Sequence, residues 1–291
     1  MITHQMNQNL ILNECPRDAM QGLSHFVPTE LKIRYHNALL KAGFDRLDFG
    51  SFVSPKAIPQ LRDTAEVVDA LNLENTSTKL LAIIANRRGA ESALDFQQID
   101  FLGFPLSVSE HFQQRNTNKS IEEALNEVAE IQNLCLAKNR KLVVYLSMAF
   151  GNPYGDAYSP ELVLEYGQRL LEMNIQHLSL ADTVGMASPA EIGSLFRAIH
   201  EPWSAVEVTA HLHANPMHAR EKVQAAWEAG CRNFDSALGG YGGCPMAEDE
   251  LVGNLSTEAI LQWANEMGFK NEINLDVLEK ARSMLSSVFL G

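Results

Sequence analysis

Two histidines, His211 and His213, have the spacing of a pair of metal ligands. They end an apolar run that begins at Val206, and side chains two residues apart on a β-strand point to the same side. If this run is a strand, both imidazoles can bind one metal ion. A carboxylate from elsewhere in the chain and the thiol of Cys244, beside a glycine-rich segment, would complete a metal-dependent acid–base site. Taken alone, the pair is equally compatible with two histidines that bind no metal.

Composition indicates a large globular protein that does not bind nucleic acid. The 291 residues are 46% hydrophobic and 20% charged, enough to bury the core of one large domain or two small ones. Lys and Arg number 23 against 36 Asp and Glu, so the formal net charge is -13. Because phosphate binding needs clustered positive charge, we exclude nucleic acid as a partner.

Membrane and disulfide signals are missing from the sequence. No apolar run approaches the roughly eighteen residues that span a bilayer, and the segment 1–9 lacks the pattern of a secretion signal. We therefore expect a soluble, cytoplasmic protein without a membrane partner. The cysteines show no CxxC spacing, which predicts free thiols rather than a zinc ribbon or a disulfide framework; they are Cys15, Cys135, Cys231 and Cys244.

Short β-rich runs alternate along the chain with stretches of helical periodicity. The eight candidate strands are Asn9 to Asn13, Arg46 to Phe49, Lys79 to Ala85, Ile99 to Leu106, Lys141 to Met148, His177 to Ala181, Val206 to His213 and Asn233 to Leu238. The candidate helices include Pro28 to Ala42, Ser120 to Lys138, Pro160 to Met173, Pro189 to His200, Ala219 to Ala229 and Leu275 to Phe289. Eight parallel strand–helix units are the number that closes a (β/α)8 TIM barrel.

We predict a single α/β domain over residues 1–291, with the TIM barrel in about 9–254 and extra C-terminal helices in about 255–291. A doubly wound open sheet is the alternative, but no dinucleotide-binding glycine turn follows the first strand. Active sites of TIM barrels lie at the carboxyl ends of the strands. The chemistry-bearing residues that close or follow the candidate strands are Asp18, Asp48, Asn86, Asp182, His211, His213, Cys244 and Asn254.

Five runs occur in a distinctive order: Pro16 to Gln21, Ser51 to Gln60, Ala181 to Gly185, His211 to His213 and Gly242 to Pro245. In this order they resemble the 3-hydroxy-3-methylglutaryl-CoA (HMG-CoA) lyase family. That family belongs to a wider group of metal-dependent TIM-barrel lyases and acyl-CoA condensing synthases. The SFVSPK sequence at the start of the second run and the GGCP sequence of the last run favour the lyase branch.

The resemblance implies cleavage of HMG-CoA, or of a related 3-hydroxyacyl-CoA, to acetyl-CoA and a keto acid such as acetoacetate. It also implies a homodimer, and a divalent cation, Mg²⁺ or Mn²⁺, bound by Asp18, His211, His213 and Asn254. Such a mixed oxygen and nitrogen set leaves positions on an octahedral ion for a substrate hydroxyl and carboxylate. Non-haem iron oxygenases share two histidines and one carboxylate, but they usually have other folds.

The expected chemistry assigns further roles. Arg17 would stabilise the departing thioester enolate, and Cys244 would be the acid or proton shuttle on a glycine loop that closes over the site. Asp48 and Asp182 would orient groups or relay protons, and His211 is the remaining catalytic candidate. The candidate substrate-binding residues are Arg17, Ser51, Asn86, Ser179 and Thr183.

The chain departs from the family pattern in places that bear on its substrate. Asp48 stands where the lyases carry glutamate, and Ala214 to His218 replaces a segment that usually begins with Asp-Thr. A carboxylate that would orient a metal-binding histidine is therefore missing there, which predicts weaker metal binding. The exact acyl group stays open. A condensing synthase of the same group and a catalytically inactive metal-binding homologue stay open as alternative functions.

Overall fold

The computed structural model describes residues 9–243 and 252–290, which contain a closed barrel of eight parallel strands in chain order. The strands are β1 (Ile11–Glu14), β2 (Arg46–Ser51), β3 (Lys79–Ile83), β4 (Ile99–Ser107), β5 (Lys141–Ser147), β6 (His177–Asp182), β7 (Glu207–Leu212) and β8 (Asn233–Ser236). Pairing of β8 with β1, from Asn233 opposite Ile11 to Ser236 opposite Glu14, closes the barrel. The predicted TIM barrel is confirmed, and each strand overlaps its predicted range.

Helices surround the barrel and continue beyond it. They are α1 (Pro16–Gln21), α2 (Thr29–Leu40), α3 (Thr64–Asp69), α4 (Arg87–Ala93), α5 (Glu110–Thr117), α6 (Ile121–Ala137), α7 (Pro160–Glu172), α8 (Pro189–His200), α9 (Ala219–Glu228), α10 (Thr257–Met267) and α11 (Leu275–Arg282). None of the helices within the described ranges is long and apolar enough to cross a bilayer. The predicted C-terminal helices are confirmed as α10 and α11.

Local sequence explains where the longer helices begin. Ser120 and Ser188 each start a capping box, in which the hydroxyl accepts from a backbone N–H and a glutamate side chain accepts in return. Proline follows Ser188 at the first helical position, where its missing N–H costs nothing. The predicted helix Leu275 to Phe289 was too long, because α11 ends at Arg282 and a separate π-helical turn covers Ser286–Leu290.

The two faces of the barrel wall differ in polarity. Outward side chains such as Leu12, Phe104 and Leu180 are at most 1% exposed and belong to the main hydrophobic core between strands and helices. Inward positions of β1 and β8 carry polar groups instead, and Asn13 donates to both Asn233 and Asp235 on the neighbouring strand. A second apolar cluster, which includes Leu81, Phe101 and Val143, fills the interior on the side of β3 to β5. The two apolar regions therefore hold the polar groups of the interior in fixed geometry, which is the condition for a preorganised site.

Glu14, at the end of β1, points away from this interior and is fully buried. It accepts from the backbone N–H of Leu238 at 2.7 Å and lies 2.5 Å from the Thr257 hydroxyl, which lies 2.9 Å from the Ser236 hydroxyl. Each hydroxyl has one proton, so a protonated Glu14 can donate to Thr257, which then donates to Ser236. Burial raises the pKa of Glu14 from 4.5 to about 8.

Glu14→Gln is expected to remove a pH dependence of stability between pH 4.5 and 8. In that window the unfolded chain loses the proton while the folded chain keeps it, so the wild-type free energy of unfolding falls as pH rises. Glutamine imitates the protonated acid, and the variant should gain about 1–3 kcal/mol relative to wild type between pH 5 and pH 8. Urea unfolding at both pH values measures this, with exposed Glu74→Gln as control. An equal difference at the two pH values would contradict the assignment.

Candidate metal centre

The carboxyl end of β1 leads directly into α1, which presents Arg17 and Asp18 at the mouth of the barrel. Pro16 fixes the first helical position immediately after the strand. Asp18 Oδ1 accepts from Arg17 Nη1 at 3.0 Å and from Gln21 Nε2 at 2.7 Å. Although burial opposes its charged form, Arg17 and the two nearby histidines outweigh this effect and lower the pKa of Asp18. A carboxylate is thus held charged and oriented here.

His211 and His213 face the same site from the end of β7. His211 Nδ1 lies 3.0 Å from Asp235 Oδ2 on β8, and His213 Nδ1 donates to the carbonyl of Val252 at 3.0 Å. With both Nδ1 atoms engaged, Nε2 is the ring nitrogen left to bind a cation. Asp18, His211 and His213 offer ligand atoms within 4.8 Å of one another, and all three residues are buried. This geometry can chelate a single metal ion.

Asn254 reaches the site on a segment that returns past the end of β7. It pairs with His213 in an antiparallel bridge, and its Nδ2 donates to Asp18 Oδ2 at 2.7 Å and to the Tyr241 carbonyl at 3.0 Å. Gly242 lies against this amide, where a Cβ atom would come within 2.5 Å of Nδ2. Asn254 is therefore locked beside Asp18, and the glycine is required for the close approach.

Arg17 and Asp48 form a buried ion pair next to Asp18. Arg17 Nε and Nη2 donate to Asp48 Oδ2 at 2.9 Å and 2.5 Å, so one edge of the guanidinium binds a single carboxylate oxygen closely. Burial raises the pKa of Asp48 to about 6, and the charge of Arg17 limits the rise. The carboxylates of Asp48 and Asp18 outweigh burial at Arg17 and raise the pKa of its guanidinium, which stays charged. A permanent positive charge therefore sits beside the candidate metal ligands.

A cavity of about 150 Å³ opens above these groups. One wall is polar and includes Arg17, Asp18, His211, His213 and Thr183. The opposite wall is mainly apolar and is lined by Val53, Ala57, Ile58, Ile83, Ala85, Pro105 and Phe112. The cavity can therefore hold a small molecule whose polar group lies at the candidate metal centre and whose apolar part contacts the apolar wall.

The structure places the other candidate residues differently. Of the substrate-binding candidates, Arg17 and Thr183 line the cavity, and the Thr183 hydroxyl accepts from the N–H of Met148. Ser179 lies one layer deeper and donates to Asp235 at 3.3 Å. Asn86 caps α4 by accepting from the N–H of Gly89, and the Ser51 hydroxyl accepts from the N–H of Val53.

Asp182, expected to be a catalytic group, faces the helical layer. Its neighbour Ala181 pairs with His211 in the barrel register and lines the cavity, whereas Asp182 pairs with Leu212. Successive strand residues alternate between faces, so Asp182 points outward, where it binds Lys222. Cys244 lies outside the described residues.

Three functional candidates were missed by the sequence analysis. Asp235 orients His211, Lys222 contacts the carbonyl of His213, and the Tyr145 ring packs edge-on against His211 with ring centroids 5.6 Å apart. Asp235 supplies the carboxylate that the sequence after His213 lacks. Period-two alternation in β8 contains a signal for it, since Asn233 and Asp235 share one face and Phe234 the other.

Asp235→Asn is expected to weaken Mn²⁺ binding about 10- to 100-fold. The neutral amide of asparagine accepts a weaker hydrogen bond from His211 Nδ1 than the carboxylate does, so it no longer fixes the ring and tautomer of His211. Mn²⁺ titration followed by electron paramagnetic resonance measures the affinity. Ser179→Ala removes the neighbouring hydroxyl bond to the same carboxylate and serves as a matched control with little effect. Equal affinities for Asp235→Asn and wild type would show that His211 needs no such partner.

The barrel, the candidate metal ligands, the adjacent arginine and the cavity at the strand ends together define a metal-dependent TIM-barrel enzyme. A family model described as HMGL-like matches residues 10–285. The chain belongs to the HMGL-like family, and the resemblance seen in its motifs is confirmed.

Individual relatives place the chain among lyases. It is 34% identical to a hydroxymethylglutaryl-CoA lyase of Bacillus subtilis, over 91% of this chain and 88% of the relative. It is 30% identical to an (R)-citramalyl-CoA lyase of Chloroflexus aurantiacus, over 95% and 90%. A solved HMG-CoA lyase from Acinetobacter baumannii, in complex with coenzyme A and 3-methylmalate, superposes with a TM-score of 0.91 at 32% identity, covering 97% of this chain and 92% of the other. The protein is a lyase of this family.

Proposed function

We propose that the protein is a divalent-metal-dependent carbon–carbon lyase that cleaves HMG-CoA, or a closely related 3-hydroxyacyl-CoA, to acetyl-CoA and a keto acid. The observation that carries this proposal is the convergence of Asp18, His211 and His213 beside the charged Arg17 at the cavity. The relatives named hydroxymethylglutaryl-CoA lyase and citramalyl-CoA lyase support the reaction class and the range of acyl groups.

The donor set fits Mg²⁺ or Mn²⁺. One carboxylate and two neutral imidazoles supply mixed oxygen and nitrogen ligation rather than the sulfur-rich or closed tetrahedral set of structural zinc. Among the described residues, the Asn254 amide nitrogen donates to Asp18 and to the Tyr241 carbonyl, so we propose the amide oxygen as the fourth ligand atom. A bound divalent cation would lower the pKa of the substrate hydroxyl and so ease loss of its proton.

The protein's own groups supply the remaining steps. Arg17 stabilises the negative charge of the thioester enolate as the carbon–carbon bond breaks, since its guanidinium is permanently charged and already oriented by Asp48. Cys244 is the proposed acid that protonates the enolate carbon, as the resemblance implies. Thr183, on the polar wall, is the proposed contact to the substrate.

The bound ligands of a relative indicate which substrates to test. The Acinetobacter enzyme holds coenzyme A and 3-methylmalate, a hydroxy acid with two carboxylates. A ligand of this type fits the present cavity if its hydroxyl and carboxylate lie at the metal centre and its apolar carbons face Ile58 and Ile83. We therefore propose an acyl-CoA substrate whose acyl chain carries both a 3-hydroxyl and a terminal carboxylate.

Purified protein with HMG-CoA and Mn²⁺ or Mg²⁺ should release acetyl-CoA, and citramalyl-CoA is the first alternative to test. No product from either ester, with reductant present, would overturn the proposal. Release of free CoA from acetyl-CoA only when a 2-keto acid is added would instead show a condensing synthase. Stoichiometric metal binding without turnover on any ester would show a catalytically inactive homologue. The homodimer, the cytoplasmic location and the single-domain boundary stay predictions.

A further inference from the structure

A buried lysine, Lys222, lies behind the metal centre on the first turns of α9. It is 5% exposed, and its ammonium group contacts three oxygens from different parts of the fold. Nζ donates to Asp182 Oδ2 at 2.7 Å, to the Gly185 carbonyl at 2.9 Å and to the His213 carbonyl at 2.9 Å. An ammonium has three donors and no acceptor, so every proton of Lys222 is used.

These contacts connect β7 to the loop between β6 and α8. Asp182, 1% exposed, also accepts from the N–H of Ala187 and so anchors the far end of that loop. Gly185 has a φ of +71°, and a Cβ atom there would lie 2.8 Å from Val252 Cγ1, so the loop packs tightly on Val252. The carbonyl of Val252 in turn accepts a hydrogen bond from the His213 ring. Lys222 therefore holds the backbone of His213, while Val252 holds the His213 side chain.

We infer that Lys222 is a positioning residue for the proposed metal ligand His213, with Asp182 as its charge partner. The inference rests on the proposed metal centre. It gives a role to Asp182, which points away from the cavity. It also explains how the end of β7 is held in place although Ala214 to His218 supplies no carboxylate. A metal-bound histidine whose main chain can shift loses the alignment of its ring with the other ligands.

The test is Mn²⁺ affinity, measured by electron paramagnetic resonance on apo protein without substrate. Lys222→Met keeps the aliphatic stem and removes the three donors, and it should weaken binding about 10- to 100-fold while circular dichroism shows an intact fold. Lys32→Met is the matched control: Lys32 is equally buried and pairs with Asp63 at 2.6 Å, yet it contacts none of the proposed ligands. Its Mn²⁺ affinity should equal that of wild type.

A second variant separates positioning from loss of stability. Lys222→Met combined with Asp182→Leu leaves no unpaired buried charge, so it should recover thermal stability but not Mn²⁺ affinity. Wild-type affinity in either folded Lys222 variant would overturn the inference and leave the lyase proposal standing. A wild-type protein that binds no Mn²⁺ would overturn the metal centre and this inference together.

Discussion

Arg17→Gln is expected to lower kcat about 10³-fold or more, with a much smaller change in KM. The guanidinium is the one fixed positive charge among the described groups that line the polar wall of the cavity, and it is proposed to act when charge develops on the departing enolate. Groups that bind the transition state more strongly than the substrate affect kcat in this way. Steady-state kinetics with HMG-CoA at saturating Mn²⁺ measures both parameters.

Loss of Arg17 also leaves Asp48 without its partner, so part of any effect could come from destabilisation. Arg46→Gln is a suitable control, because Arg46 is as buried as Arg17, lies on the same strand as Asp48, and pairs with Glu207 at the opposite end of the barrel. We expect the control to lose stability and to keep kcat within a few-fold of wild type. Equal losses of kcat in the two variants would show that Arg17 has no special role in the reaction.

His213→Ala is expected to weaken Mn²⁺ binding more than about 100-fold, beyond the 10- to 100-fold effect of losing an outer partner. Removing one of the four proposed ligands would leave an incomplete set and open the site to water. Activity at low Mn²⁺ should fall in parallel and recover partly as the metal concentration rises, since the deficit is one of binding. Metal titration and the Mn²⁺ dependence of kcat measure the two effects.

His177→Ala is the control for this prediction. His177 lies on β6 toward the opposite end of the barrel, near Glu207, and its ring packs edge-on against Phe101 with centroids 5.2 Å apart. The variant should bind Mn²⁺ as wild type does. If His213→Ala binds the metal equally well, the paired histidines are not ligands, and the proposed centre is wrong.

The strand faces on which Asp48 and Asp182 lie show where strand periodicity predicts side-chain direction and where it fails. Asp182 follows Ala181 on a regular strand, so alternation alone places it on the outer face once Ala181 is paired with the inward His211. Alternation also places Asp48 correctly, because Arg46 and Asp48 line an interior cavity while Leu47 and Phe49 belong to the outer core. Periodicity fails just beyond it, where the register of β2 against β3 shifts between Asp48 and Gly50, and no local pattern in the sequence marks this irregularity.

The sequence alone determined the barrel, the family and the identity of the candidate metal ligands. Strand and helix periodicities are local, and the spacing of His211 and His213 on a strand already places both rings on the same side. The tertiary structure decided which groups hold those ligands in place. Asp235 and Lys222 act across strands and from a surrounding helix, and contacts between residues far apart in the chain depend on barrel closure and register rather than on any local pattern.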